Sequence, residues 1–272
     1  MIEPYLTSVL GCQVTVVVHP SYEALSEALS SNAVDLAWIT PLAFVRASQK
    51  NADVAALSKA MRAGDGSLFY RSIFIVKKDS TATKLADLKG KKVSWVNKLS
   101  ASGYLFPREM LRREGLDPDK FFSEEAFGGD HLSVCKAVRE GKADAAATFA
   151  GGTKEDSELK ADGCEDAGPV TDFKIIASTG SLPNEVIAAS GDFPPLRYNE
   201  VLGAFGKMGK TDAGKKVLKE AFRAEGFGVA VDGDFAPVLD LLRVNDAKAK
   251  VAPPAETPPA KAPKGTPSKK SK

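Results

Sequence analysis

The sequence predicts an α/β fold in which helices cover both faces of a largely parallel sheet. Short β-branched or apolar runs, such as residues 13–18 (QVTVVV) and 72–77 (SIFIVK), alternate with segments whose apolar residues recur at helical spacing. Strands that alternate with helices form βα units, which set successive strands parallel. The 272 residues, 43% of them hydrophobic, suffice for one large or two modest domains.

The individual elements follow from the same two signals, taken in chain order. β-branched or small-residue runs predict strands at residues 13–18, 34–39, 54–57, 72–77, 92–96, 143–149 and 173–177. Apolar residues three or four apart predict helices at residues 22–29, 42–47, 103–114 and 131–140. Gly115 and Gly141 stand where the last two helices should end.

The positive charge of the chain is concentrated at its C-terminal end. Residues 248–272 carry seven lysines and one glutamate, a net charge of +6, whereas the whole chain carries +2 and the remainder therefore −4. This Pro-, Ala- and Lys-rich segment predicts a disordered tail, because it has too little apolar surface to offset the entropy lost on ordering. The acidic balance of the rest gives no reason to expect a nucleic-acid surface.

Other features narrow the class of protein. No apolar run of about 18 residues predicts a membrane span, and the first residues do not resemble a signal peptide, so we expect a cytoplasmic protein or a mature or truncated form. Cys12, Cys135 and Cys164 include no CxxC pair. We expect them to be buried small apolar residues, with a Cys135–Cys164 bridge as the alternative.

One strand-to-helix junction is rich in hydroxyl groups. Ser100 and Ser102 follow the strand predicted at residues 92–96 and precede the helix that opens near Gly103. Ligands of open α/β sheets bind beyond the carboxyl ends of strands, and helix N-termini favour anions. The junction is therefore either an oxyanion site or an ordinary serine N-cap. A nucleophilic serine is disfavoured, since the GxSxG pattern is absent.

Two further junctions supply similar groups. Gly128 and Gly129 allow close backbone approach, and His131 follows in the first turn of a predicted helix. His131 either donates a hydrogen bond to an anion or is an ordinary surface histidine whose hydrogen bonds are satisfied. His131 and Cys135 share a helical face, but two possible ligands do not make a metal site, and we expect neither metal nor cofactor. Tyr22 follows Ser21 at the third junction, where Ser21 is the expected N-cap.

Together these junctions resemble the phosphate, phosphite and phosphonate substrate-binding proteins of ABC importers, which are type II periplasmic binding proteins. The most specific element is residues 100–107 (SASGYLFP). The other matching segments are residues 21–25 (SYEAL), 34–42 (VDLAWITPL), 70–80 (YRSIFIVKKDS), 85–91 (LADLKGK), 129–131 (GDH), 141–145 (GKADA) and 182–185 (LPNE). The resemblance runs from about residue 4 to residue 247.

The resemblance implies a two-lobed fold with a mixed, mostly parallel sheet in each lobe. Lobe one would comprise residues 1–78 and 182–247, lobe two residues 79–181, and residues 248–272 the tail. It further implies that the ligand contacts are made by residues of both lobes, namely Ser100, Ala101, Ser102 and His131 from one side and Tyr22, Tyr70 and Glu185 from the other. Glu185 matches an acid that family members use toward the amino end of a ligand.

Three departures from the family pattern qualify these expectations. Ala101 replaces a hydroxyl residue and removes one donor, which costs about 1.5–3 kcal/mol when the partner is a charged oxygen. Ala150 and Gly151 stand where the family often has an acid or an amide, which weakens the case for an aminoalkyl phosphonate. The chain also begins at the first helix of the family, so the first strand of lobe one is expected to be missing.

The function implied is capture of a phosphorus oxyanion for an ABC importer, without catalysis. The expected partners are the small anion and the membrane subunits of the importer, the protein is expected to be a monomer, and the resemblance places it in the periplasm or anchored to the cell envelope. A ligand-sensing module of the same fold, or a binder of another small anion, is the alternative. An enzyme such as a phosphoesterase ranks last, because His131 is the only base near Ser100.

Overall fold

We describe a computed structural model of the chain, which covers residues 2–62, 66–98, 100–152 and 159–251, without the side chains of Asp232 and of residues 244–251. The helices are α1 (Ile2–Leu10), α2 (Tyr22–Ser30), α3 (Pro41–Lys50), α4 (Phe106–Arg113), α5 (Pro118–Phe121), α6 (His131–Arg139), α7 (Tyr198–Gly206), α8 (Asp212–Val217) and α9 (Ala236–Val251). The strands are β1 (Leu36–Ile39), β2 (Ala55–Met61), β3 (Phe69–Lys77), β4 (Lys92–Trp95), β5 (Glu124–Phe127), β6 (Ala145–Gly151), β7 (Phe173–Ser178), β8 (Leu182–Pro183), β9 (Val186–Ala189) and β10 (Gly226–Val229). Across these ranges, no helix has the length and apolarity needed to cross a bilayer.

The strands form two sheets, each covered by helices on both faces. The first sheet has the order β1-β9-β2-β10, and the second has the order β5-β4-β6-β3-β7, with β8 paired to β3. One face of the first sheet packs against α2, α3 and α9, and the other against α1, α7 and α8. The strands are predominantly buried, because helices on both faces of each sheet remove the apolar surface of the strands from water.

The strand directions differ from the expected mostly parallel pairing. All neighbours in the first sheet pair antiparallel, and in the second sheet β4 pairs parallel with β5 and β6 whereas β3 pairs antiparallel with β6, β7 and β8. The βα alternation fixes the direction of successive units along the chain. It does not show that β9, which returns from the second sheet, inserts antiparallel between β1 and β2.

Residues 13–18 do not form the predicted strand. The exposed fractions of Val16, Val17 and Val18 rise from 42% to 62% and 89%. The backbone N–H groups of Val14 and Val16 donate instead to Thr7 Oγ1 and Glu3 Oε1 of α1. A β-branched run becomes a strand only when another strand supplies hydrogen bonds, and β1 edges the first sheet with no second neighbour among the described residues.

Among the described residues, two connections lie between the sheets, one that includes residues 62 and 66–68 and one at residues 184–185. Strand β3, which the predicted boundary placed in lobe one, pairs within the second sheet. Asn184 is buried and ties the two connections together, because its side-chain amide donates to the carbonyls of Ala60 and Ser67. The side chains of Arg62 and Glu185 form an ion pair between the same connections.

The structure corrects two expectations from the sequence, one at the C-terminal end of the chain and one at the cysteines. Helix α9 continues to Val251, so the first residues of the predicted tail are helical, and residues 252–272 lie outside the described residues. Cys135 and Cys164 are bonded to each other, so the first expectation, that they are unpaired apolar residues, was wrong and the alternative of a Cys135–Cys164 bridge is confirmed. Cys12 is a free thiol.

Candidate functional site

The serine turn, residues 100–105, opens the helix that continues as α4. Ser100 is the N-cap, and its hydroxyl oxygen accepts the N–H of Gly103 at 2.9 Å. Residues Ala101–Leu105 form a π-helical turn, in which the N–H of Leu105 donates to the carbonyl of Ser100 at 3.0 Å. The N-cap interpretation of Ser100 is therefore confirmed, and the capped hydroxyl keeps its proton for donation to a ligand. The N–H groups at the start of such a helix have no preceding turn to bond to.

Gly103 lets this turn pack directly on the end of β4. A Cβ at this position would lie 2.3 Å from Val96 Cγ2, a distance that no real methyl group tolerates. The turn is also held from the other side, because the hydroxyl of Ser72 on β3 donates to the carbonyl of Ser102 at 2.7 Å. Ser102 itself is buried, at 7% exposure.

The histidine turn, residues 128–131, opens α6. Asp130 is the N-cap and accepts the N–H of Ser133 at 2.7 Å, and His131 is the first helical residue. Nδ1 of His131 lies 2.9 Å from Thr148 Oγ1, and the imidazole meets the ring of Phe149 edge-on at 4.9 Å. Burial lowers the pKa of His131 from 6.5 to about 4, while the neighbouring Asp130 carboxylate opposes this shift. The imidazole is thus neutral at pH 7.

The two turns are neighbours because both are hydrogen-bonded to Val96. Its N–H donates to the carbonyl of Gly103 at 3.2 Å, and its carbonyl accepts the N–H of Gly129 at 2.8 Å. The N–H of Gly128 donates to the carbonyl of Trp95 at 2.8 Å. Two helix N-termini therefore meet at the carboxyl end of β4, where their partial positive charges combine.

Tyr70 and Glu185 lie near the connections between the sheets. Tyr70 is on β3 and packs against the same apolar cluster as Ala101. Burial raises the pKa of the Tyr70 hydroxyl, the Glu185 carboxylate raises that pKa further, and Arg62 opposes it. Glu185 forms an ion pair with Arg62, so a cation of the chain already lies beside its carboxylate.

Tyr22 is placed differently from the other candidates. It is the first residue of α2, capped by Ser21, and its side chain is 55% exposed. It lines a cavity of about 330 Å³ together with Thr40, Arg46 and Leu242. This cavity lies among α2, α3 and α9, whereas the serine and histidine turns belong to the second sheet.

Residues 2–235 match the profile of a protein family described as "ABC transporter, phosphonate, periplasmic substrate-binding protein". The chain belongs to this family. Members of the family are the periplasmic binding components of transporters and not enzymes, so the predicted family, fold class and general function are confirmed.

Sequence relatives and solved structures agree with this membership. The chain is 28% identical over 237 residues to the phosphate-import protein PhnD of Mycolicibacterium smegmatis, covering 85% of this chain and 69% of that protein. It is 26% identical over 238 residues to the phosphonates-binding periplasmic protein of Escherichia coli, covering 85% and 67%. The fold resembles PhnD1 of Prochlorococcus marinus in complex with methylphosphonate, with a TM-score of 0.69, 19% identity and 90% of each chain covered.

Sequence reasoning missed two polar residues of this ABC-transporter binding protein. Thr148 contacts His131, and its only sequence signal is a hydroxyl within an alanine-rich strand. Arg62 pairs with Glu185, 123 positions away, for which the sequence offers no signal. Within the described part of the chain, no group of three or more His, Cys, Asp and Glu side chains is arranged to hold a metal ion.

Proposed function

We propose that this binding protein captures a small phosphorus oxyanion, a phosphonate, phosphite or phosphate, and presents it to the membrane subunits of an ABC importer. The hydroxyls of Ser100 and Ser102, the N–H groups of the serine turn and the imidazole of His131 would hold the oxygens. Tyr70 would lie beside the ligand, with Tyr22 approaching from the other lobe. Ala101 contributes its backbone and no side-chain donor.

A single observation carries this proposal, namely that Val96 is hydrogen-bonded to both turns. In the proposed site, hydroxyl and backbone donors and an imidazole would face a ligand from the place where two helices begin, an arrangement that suits a tetrahedral anion. Recognition by neutral donors avoids the large desolvation cost of burying a cation for the ligand.

We further propose that the two sheets are the cores of the two lobes, with their boundary at the connections. Residues up to 62 and from 184 onward would form lobe one, and residues 66–183 would form lobe two, which moves β3 and Tyr70 into lobe two. Ala101 and Leu105 of the serine turn and Phe106 at the start of α4 pack in the apolar cluster on one face of the first sheet. The serine turn therefore borders both lobes, where closure about the connections would enclose a ligand.

The test is isothermal calorimetry with phosphate, phosphite, methylphosphonate and methanesulfonate. We expect binding of at least one phosphorus oxyanion, no binding of the sulfonate, and a rise in melting temperature with each ligand that binds. Absence of heat and of a thermal shift with all three phosphorus compounds would overturn the proposal. His131→Gln serves as the matched variant with a weakened site.

A further inference from the structure

The disulfide between Cys135 and Cys164 fixes a turn directly behind the histidine turn. It joins α6 to the 3-10 turn Asp162–Ala167, across 29 positions of sequence, and both cysteines are fully buried. The same 3-10 turn is attached to the end of β6, because Asp162 Oδ2 accepts the N–H of Gly151 at 2.6 Å. Helix α6 and strand β6 are therefore connected through this turn.

Gly163 of this turn packs directly against Thr148. A Cβ on Gly163 would lie 2.1 Å from Thr148 Oγ1 and 3.0 Å from the ring of Phe149, so only glycine permits this approach. Thr148 is fully buried, and its Oγ1 lies 2.9 Å from His131 Nδ1. A continuous set of contacts thus runs from the disulfide through Gly163 and Thr148 to the imidazole.

The direction of the Thr148–His131 hydrogen bond decides what the histidine offers to a ligand. A neutral imidazole has one N–H donor and one bare nitrogen acceptor. When the Thr148 hydroxyl donates to Nδ1, the ring proton is on Nε2, which can then donate to a negatively charged oxygen. The other tautomer would present a lone pair on Nε2 to the anion and repel it.

We propose that Thr148, supported by Gly163 and the Cys135–Cys164 disulfide, donates its hydroxyl proton to Nδ1 of His131 and is thereby a positioning residue that fixes His131 as an Nε2–H donor to the oxyanion. The contact with the ligand rests on the proposed function, whereas the tautomer is a property of the free protein. The disulfide serves here to hold Gly163 against Thr148, in addition to any effect on stability.

The tautomer is measured first, by nitrogen-15 NMR of the ligand-free protein, with His131→Gln assigning the signals. We expect the Nε2–H form in the wild type and a mixture of both forms in Thr148→Val, which keeps the side-chain shape and removes the hydroxyl. An Nδ1–H form in the wild type would overturn the proposal without any binding measurement. If the wild type shows the Nε2–H form but binds no oxyanion, the proposed function fails and the positioning of His131 stands.

Calorimetry with methylphosphonate then tests the effect on binding. Loss of one hydrogen bond should raise the Kd of Thr148→Val about three- to tenfold, and Gly163→Ala should act in the same direction by displacing Thr148. Gly203→Ala is the matched control, because nothing lies within 4 Å of the added methyl group. Unchanged tautomer and Kd in both folded variants would refute the role of Thr148.

The disulfide is tested with Cys135→Ala/Cys164→Ala, and the free thiol variant Cys12→Ala is its control. We expect a weaker Kd for methylphosphonate and a shifted His131 resonance in the double variant, and neither change in Cys12→Ala. A folded double variant with wild-type Kd and wild-type His131 signals would remove the disulfide from the proposal.

Discussion

The two sides of the candidate site differ in how their residues are held. On the second sheet, the serine and histidine turns share Val96, and Ser72 and Thr148 fix them from neighbouring strands. On the first sheet, Tyr22 is more than half exposed at the start of a helix, and Glu185 at the connection is already paired with Arg62.

For the proposed site, this difference implies different roles for the two proposed lobes. In the proposed site, the donors on the second sheet are held by contacts within the protein, so little entropy is lost when a ligand engages them. On the side of the first sheet, we propose that Tyr22 reaches the ligand only when the cleft closes. Variants of the second lobe should therefore have larger effects than variants of the first.

The largest expected effect is the acid sensitivity of the folded state due to His131. Its pKa is held at about 4, below the 6.5 of an unfolded chain. As the pH falls, the unfolded state therefore binds a proton before the folded state does. The contribution of the neutral imidazole to the free energy of unfolding is complete above pH 6.5 and is lost as pH falls toward 4, by up to about 3 kcal/mol. Urea unfolding of the wild type and His131→Gln between pH 7 and pH 4 measures this. Parallel loss of stability in both proteins would contradict it.

A smaller effect is expected for Ser102→Ala, which removes a donor from the fixed side. The Kd for the phosphorus oxyanion that the wild type binds most tightly should rise at least about tenfold, which corresponds to about 1.4 kcal/mol of binding free energy. Ser48→Ala, on α3, is the matched control and should bind as the wild type does. Calorimetry compares them, and an unchanged Kd for Ser102→Ala would remove this side chain from the site.

The smallest effect is expected for Glu185→Gln on the first-lobe side. Its ion pair with Arg62 involves side chains about 30% exposed, and such pairs contribute less than about 1 kcal/mol to folding. If the pair only links the connections, the variant should bind methylphosphonate and 2-aminoethylphosphonate with wild-type affinities. A selective loss for the amino compound, measured by calorimetry, would instead place Glu185 at the ligand and reduce the contrast between the lobes.

The sequence predicted elements best where their causes are local. The helical segments that follow Ser21 and Ser100 begin directly after these predicted caps, because an N-cap bonds to a backbone group three residues ahead. Residues 13–18 are mostly β-branched, like the predicted runs that do form strands, but they do not form a strand. Strand formation depends on a partner strand, and propensity alone does not supply one.

The sequence by itself therefore indicated the helix starts after Ser21 and Ser100 and, through the family motif, the residues proposed as oxyanion donors. Only the tertiary structure decided how these groups are oriented, since Thr148 and His131 are 17 positions apart, Ser72 and Ser102 are 30 apart, and Arg62 and Glu185 are 123 apart. Capping bonds span one turn of chain and can be predicted from adjacent residues. Contacts between distant strands, the antiparallel insertion of β9 and the Cys135–Cys164 pairing arise from the packing of the whole chain, which no local pattern encodes.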